Sequence, residues 1–162
     1  MKLNIGCGNV KKEDYVNIDS NEKCNPDRLR DIRRGLPYDD DTADEIYCAH
    51  LIEHLQPDDF IFFFNECNRV LKPHGKLTVK APYFKEKWAY IDPTHVKLIT
   101  EYSFNFFINR DYNSVAAGVT GWYSLKYMGL DEGGGEITAE FIKLTEEEMQ
   151  KLQKEGKIDK SS

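Results

Sequence analysis

Apolar and polar residues alternate with a period of two in four separate runs. Leu3 and Ile5 interleave with Lys2 and Asn4, and Val16 and Ile18 with Tyr15 and Asn17. Ile46 and Cys48 interleave with Glu45 and Tyr47, and Leu77, Val79 and Ala81 with Lys76, Thr78 and Lys80. That period sends successive side chains to opposite sides of a pleated strand, so it predicts strands at 2–5, 15–19, 45–49 and 75–82. Between the last two the period changes. After a short helical turn at 50–55, Pro57 opens a helix with Asp58 and Asp59 in its first turn, where an unpaired N–H and the dipole favour them. Phe60, Phe63, Phe64, Cys67, Val70 and Leu71 then recur at helical spacing, and Lys72-Pro73-His74-Gly75 is expected to end the helix. Further on, 100–109 reads as a helix carrying Phe104, Phe106 and Phe107, and 121–128 and 136–144 read as two strands around a glycine-rich turn. Thr145-Glu146-Glu147-Glu148 is a capping box that starts a charged last helix.

Strands alternating with helices predict an α/β chain with a mostly parallel sheet. Two details sharpen that expectation. The link between the first two strands, residues 6–14, is shorter than the dozen or so residues of a normal parallel crossover, so the first helix must be short or missing. Parallel strands covered on both faces read as continuous apolar runs, whereas these alternate. Helices should therefore cover one face fully and the other sparsely, with the sparse face closed by the chain's own aromatic segment or by a second subunit in a homodimer.

The 162 residues suit a single domain. The balance of 22 basic against 28 acidic side chains, a net charge of -6, argues against a phosphate-backbone partner, which calls for a basic face. Arg28, Arg30, Arg33 and Arg34 form the one basic cluster, read as a solvated turn in preference to an anion site. No apolar run approaches the ~20 residues of a membrane span, and the first strand begins with no signal peptide ahead of it, so a cytoplasmic protein is expected. Cys7, Cys24, Cys48 and Cys67 lack C-x-x-C spacing and read as reduced thiols.

The chemistry gathers near the start. Gly6 and Gly8 bracket the end of the first strand, where positive φ and a missing side chain let a ligand approach backbone amides. Asp19, at the end of the second strand, is placed to accept hydrogen bonds from a ribose diol. A dinucleotide fingerprint needs a third glycine, and Lys11 stands there.

Gly6-Cys7-Gly8 followed by Asp19 resembles the first two motifs of the class I S-adenosylmethionine (SAM) dependent methyltransferases, of the small type 11-like kind. Three more stretches resemble that family in order: Leu36-Pro37-Tyr38 to Asp44-Glu45-Ile46, His50 to Leu55, and Glu66 to Pro73. Together they cover roughly the first half of the chain. The resemblance implies a Rossmann-like sheet closed by a carboxyl-terminal antiparallel pair, here with a shortened amino-terminal half, and SAM as cofactor. It implies Gly6 and Gly8 beside the methionine portion, Asp19 on the ribose, Asp31 and Ile32 at the adenine, and His50 near the sulfonium. The activity implied is methyl transfer, here to a hydroxyl or amine of a small molecule. A SAM-binding protein that has lost catalysis is the alternative.

The aromatic segment 83–118 lies where α/β sheets place a second ligand, and is assigned to substrate recognition. Within Asp92-Pro93-Thr94-His95, His95 is the leading general base, with Asp92 to orient it, and His50 is the second. His50-Leu51-Ile52-Glu53-His54 also spells the H-x-x-E-H of inverted zinc proteases. Pro57 cuts that helix short and no third ligand follows on the next helix, so no metal is expected.

Overall fold

The computed structural model describes residues 1–108 and 112–155. Its centre is a seven-stranded sheet of order β3-β2-β1-β4-β5-β7-β6. Strands β1 (Lys2–Ile5), β2 (Val16–Asp19), β3 (Arg28–Leu29), β4 (Ala43–Ala49) and β5 (Leu71–Pro82) run parallel. β6 (Tyr123–Leu130) and β7 (Glu136–Lys143) close the sheet as an antiparallel pair, β7 lying beside β5. The chain steps from β1 out to β2 and β3, then returns to place β4 on the other side of β1. That reversal makes the carboxyl end of β1 a topological switch point, the position at which such sheets bind ligands.

The helices are α1 (Pro57–Val70), α2 (Trp88–Ile91), α3 (Asn105–Ile108), α4 (Tyr112–Ala116) and α5 (Glu146–Lys154). The apolar side chains of the strands and Phe60, Phe63, Phe64 and Cys67 of α1 form one core. Phe104 and Phe107 join it, the Phe107 ring stacked on Phe64 at 3.9 Å between centroids and 12° between planes. Among the described helices, α1, α3, α4 and α5 all gather on this side, while α2 sits at the carboxyl edge. No described helix is long and apolar enough to cross a membrane.

The other face carries Lys2, Glu45, Tyr47, Lys76, Thr78, Lys80 and Glu140. Lys76 pairs with Glu45 at 3.2 Å and with Glu140 at 3.7 Å, and Lys80 with Glu136 at 2.5 Å. The expectation of one well-covered and one sparse face therefore holds among the described residues, but the aromatic segment is not what closes the sparse one. Phe104 and Phe107 lie with α1, because their large apolar area is worth more buried against Phe64 than spread over charges.

Residues 6–15 contain no helix. A pair of buried asparagines holds the segment instead. Asn4 Nδ2 donates to Asn17 Oδ1 at 2.8 Å and to the Val10 carbonyl at 3.2 Å. Asn17 also accepts from the Lys12 N–H and donates to Lys12, Tyr15 and Asp27. These bonds satisfy backbone groups that a crossover helix would have paired within itself.

β2, β4, β6 and β7 shift by one or two residues from the sequence expectation, and three elements differ more. β5 begins at Leu71, so Lys72-Pro73-His74-Gly75 is an irregular stretch of strand; the pairing slips from Ala43↔Leu71 to Glu45↔Lys76. His74 takes φ +62 there, and a side chain on Gly75 would start 2.8 Å from the Lys72 carbonyl oxygen. The turn expected at 50–55 shrinks to a 3₁₀ turn at Ile52–His54. The helix expected over 100–109 is a 3₁₀ turn, Glu101–Phe104, capped by Thr100 and Ser103, followed by α3; Asn109 lies outside the described residues, as does 156–162 of the expected tail.

Candidate active site

The first half of the site is the turn after β1. Gly6 and Gly8 both have positive φ, +68 and +49, and the N–H groups of Gly6 and Cys7 both donate to the Ile18 carbonyl, at 2.8 and 3.1 Å. A side chain on Gly6 would start 3.1 Å from Leu51 Cβ, so the loop after β4 needs a glycine there. Nothing lies within 4 Å of the corresponding point at Gly8. Its N–H donates to Asp19 Oδ2 at 2.8 Å, while Asp19 Oδ1 accepts from the Asn21 N–H at 2.8 Å. Asp19 thus ties the turn to β2 and retains lone pairs for a ligand.

Gly6, Asp19, Asp31 and Ile32 line a cavity of about 270 Å³, together with Ser20, Arg30, Leu51 and His54. Asp31 is heavily engaged: it caps the 3₁₀ turn Ile32–Arg34 by accepting from the Arg33 N–H, and its carboxylate pairs with the Arg33 guanidinium at 2.8 Å. That hydrogen bonding holds its carboxyl below the ordinary aspartate value. Arg30 and Arg33 of the basic cluster both reach the cavity wall. The residues present fit SAM: a left-handed glycine turn, an acid beside it with lone pairs to spare, and open room along Gly8 for a ligand longer than the cavity.

The second half lies at the ends of β4 and β5. His50, Glu53, His54, Trp88, Ile91, Asp92 and His95 line a cavity of about 670 Å³. The Glu53 carbonyl accepts from the N–H groups of Val96 and Lys97, at 2.9 and 3.2 Å, which ties the turn after β4 to the segment holding His95. His95 Nδ1 lies 3.3 Å from the Ala89 carbonyl and His54 Nδ1 lies 3.2 Å from the Thr94 carbonyl. A carbonyl only accepts, so each Nδ1 carries a proton, and in the neutral ring the lone pair is on Nε2. Ala89 thus holds the Nδ1 side of His95, while the Asp92 carbonyl accepts from the His95 N–H at 3.2 Å and an Asp92 carboxylate oxygen lies 3.9 Å from His95 Nε2. Asp92 accepts from the Thr94 hydroxyl at 2.6 Å and so acts through Thr94 on His54.

Two features were not read from the sequence. Glu53 is only 1% exposed, and among the described residues neither carboxylate oxygen has a hydrogen-bond partner. Its Oε1 lies 3.5 Å from His50 Nδ1 and 4.0 Å from His95 Nε2. The second feature is Glu136 of β7, whose carboxylate lies 2.9 Å from His50 Nε2. Held between Glu53 first and Glu136 second, the His50 imidazole has its pKa raised against the opposing cost of burial. His50 also adopts φ +53, while its N–H donates to the Lys80 carbonyl, so H-x-x-E-H is not one helical face. The inverted-protease geometry is thereby lost, since it needs both histidines on consecutive turns of one helix.

His50 and His95 thus meet at one cavity, Gly6, Asp19, Asp31 and Ile32 at another, and His54 lines both.

Residues 3–79 match the methyltransferase domain family. No match was found among curated proteins. Among solved structures, a SAM dependent methyltransferase from Archaeoglobus fulgidus is similar over 87% of this chain and 85% of its own, with 15% identity and a TM-score of 0.64. A SAM dependent methyltransferase from Aquifex aeolicus is similar over 87% of this chain and 80% of its own, with 18% identity and a TM-score of 0.60. Phosphoethanolamine N-methyltransferase 1 from Haemonchus contortus, solved with phosphoethanolamine and S-adenosylhomocysteine, matches 88% of this chain and 38% of its own, at 13% identity and a TM-score of 0.64.

Proposed function

We propose that the chain is a SAM-dependent methyltransferase that methylates a hydroxyl or an amine of a small molecule, a reading supported by the methyltransferase domain match over residues 3–79 and by a fold similar to that of solved SAM dependent methyltransferases. One observation carries this reading: the cavity at Gly6 and Asp19 and the cavity at His95 share His54 as a wall. A donor lying in the first and an acceptor in the second meet there. SAM, when bound, supplies a methyl group already made electrophilic by its sulfonium. What the chain must add is placement and exclusion of water, and alignment alone can supply effective molarities of about 10⁵ M or more.

Gly6 and Gly8 give the donor a backbone surface, Asp19 accepts from its ribose, and Asp31 and Ile32 stand at its adenine end. His95 acts on the acceptor: with Nδ1–H held by Ala89, its Nε2 lone pair faces the cavity and can take the proton that a hydroxyl or ammonium must lose. His50, drawn toward its charged form by two carboxylates, suits electrostatic placement better than proton removal. Trp88 and Ile91, both exposed, offer apolar surface to the acceptor's body.

Calorimetry of the full chain with SAM and S-adenosylhomocysteine tests the donor half. Both should bind, and Asp19→Ala should weaken binding by about tenfold to a hundredfold, the range for a hydrogen bond to a charged group. Equal affinity in Asp19→Ala, with its circular dichroism unchanged, would remove the ribose assignment. Methyl transfer across a panel of hydroxylated and amine acceptors tests the other half.

A further inference from the structure

We infer that Glu53, His54 and His95 form a binding site for one divalent transition-metal ion in the acceptor cavity. Ligand-capable atoms of the three lie within 4.8 Å of one another. The second observation is independent of that proximity. A carboxylate almost wholly withdrawn from water, with neither oxygen hydrogen-bonded among the described residues and only the His50 ring as near as 3.5 Å to Oε1, is costly unless a further cation meets it. The histidines are prepared for the same partner. Each gives its Nδ1–H to a backbone carbonyl, Thr94 for His54 and Ala89 for His95, which is the outer arrangement that fixes the ring and leaves Nε2 to ligate. Asp92 adds a further layer through the Thr94 hydroxyl.

Two imidazoles and one carboxylate with room beside them make a three-ligand set with an open position, and that donor set suits zinc and its first-row neighbours over magnesium or calcium. Binding would draw the ligands inward, since atoms around one ion stand roughly 3.4 Å apart. His50 stays outside the set, held by Glu136 at 2.9 Å.

The inference deepens the methyl-transfer reading and rests on it only for what the open position faces. With the ion in place, the lone pair of His95 is occupied, and a bound acceptor oxygen would be acidified by the ion instead of being deprotonated by the ring.

The test uses the full chain, stripped of metal by a chelator and titrated with Zn²⁺ in a calorimeter and with Co²⁺ by visible absorption. One ion should bind per chain, with a Co²⁺ spectrum of low symmetry. Glu53→Gln and His95→Ala should each weaken Zn²⁺ by tenfold or more, and His74→Ala, at a histidine far from the cavity, should change nothing. Circular dichroism of each variant shows whether it folds. Thr94→Val, which removes only the hydroxyl behind His54, gives a milder variant and should weaken Zn²⁺ without removing it. Absence of stoichiometric binding, or binding that survives Glu53→Gln and His95→Ala, overturns the inference. SAM binding is measured separately on the metal-free chain: SAM bound without a metal site sinks only the metal, and a metal site without SAM sinks only the methyl-transfer reading.

Discussion

Leu77 and Lys76 are neighbours in β5, yet Leu77 is fully buried in the core while Lys76 reaches across the opposite face to Glu45 and Glu140. The same contrast runs along β1, β4 and β7. On the helix-bearing face, Leu3, Ile5, Ile46, Cys48, Val79, Ala139 and Phe141 are each at most 1% exposed. On the other, most exposed or half-buried positions are lysine and glutamate in opposite-charge pairs, with Tyr47 and Thr138 lying among them. A parallel sheet with a single layer of helices must end in water somewhere, and here it does so on charges that neutralise one another across strands. Stability should therefore be concentrated on one side, with the other contributing solubility and little else.

The largest test of that asymmetry is Phe64→Ala. Phe64 touches Phe60, Phe63, Phe104, Phe107, Tyr123 and Phe141, and its loss should cost about 3–5 kcal/mol in urea unfolding. A cost below 1 kcal/mol would mean that the aromatic cluster does not carry the core.

Next comes Glu66→Gln on α1. Glu66 accepts from the Leu36 N–H at 2.6 Å and pairs with Arg69 at 2.7 Å, and the change should cost about 2 kcal/mol at pH 7. Burial pushes the Glu66 carboxyl up, but the Arg69 and Leu36 hydrogen bonds outweigh it and leave the pKa lowered. A carboxylate lowered on folding stabilises above its unfolded value, near 4.3, and that stability is lost as the pH falls through the folded value. The wild type should therefore lose more stability than Glu66→Gln between pH 7 and pH 3. Parallel curves for the two proteins would contradict this.

Lys76→Ala on the bare face should cost only about 0.5 kcal/mol, and less at 1 M salt, since cross-strand pairs near solvent are weak and screened. A cost comparable to Phe64→Ala would collapse the distinction between the faces. The smallest change sharpens it in sign. Thr78 lies on the bare face with its hydroxyl buried and, among the described residues, without a hydrogen-bond partner, so Thr78→Val should be neutral or stabilise by up to about 1 kcal/mol. Destabilisation would point to a partner for that hydroxyl.

The period-two runs placed β1 to the residue and β2 and β4 within two, because strand pairing and burial act on the same alternation that the residues display. Pro57 with two aspartates marked the start of α1 for the same local reason. Lys72-Pro73-His74-Gly75 misled, since proline and glycine signal a break in any element. Only pairing with β4 turns that break into an irregular strand. Phe104 and Phe107 look like substrate aromatics beside Trp88 and Tyr90, and the stacking on Phe64 alone separates core from surface.

By itself the sequence determined the strand pattern, the uneven faces, the missing first helix and the glycine turn with its acid, because each is written in neighbours a few residues apart. The tertiary structure alone decided which carbonyl orients His95, that His50 is held by Glu136, and that Glu53 is buried without a hydrogen-bond partner among the described residues. Those groups come from β4, β7 and the segment before Val96, so their meeting depends on how separate loops fold over one sheet edge, and no local pattern encodes that convergence.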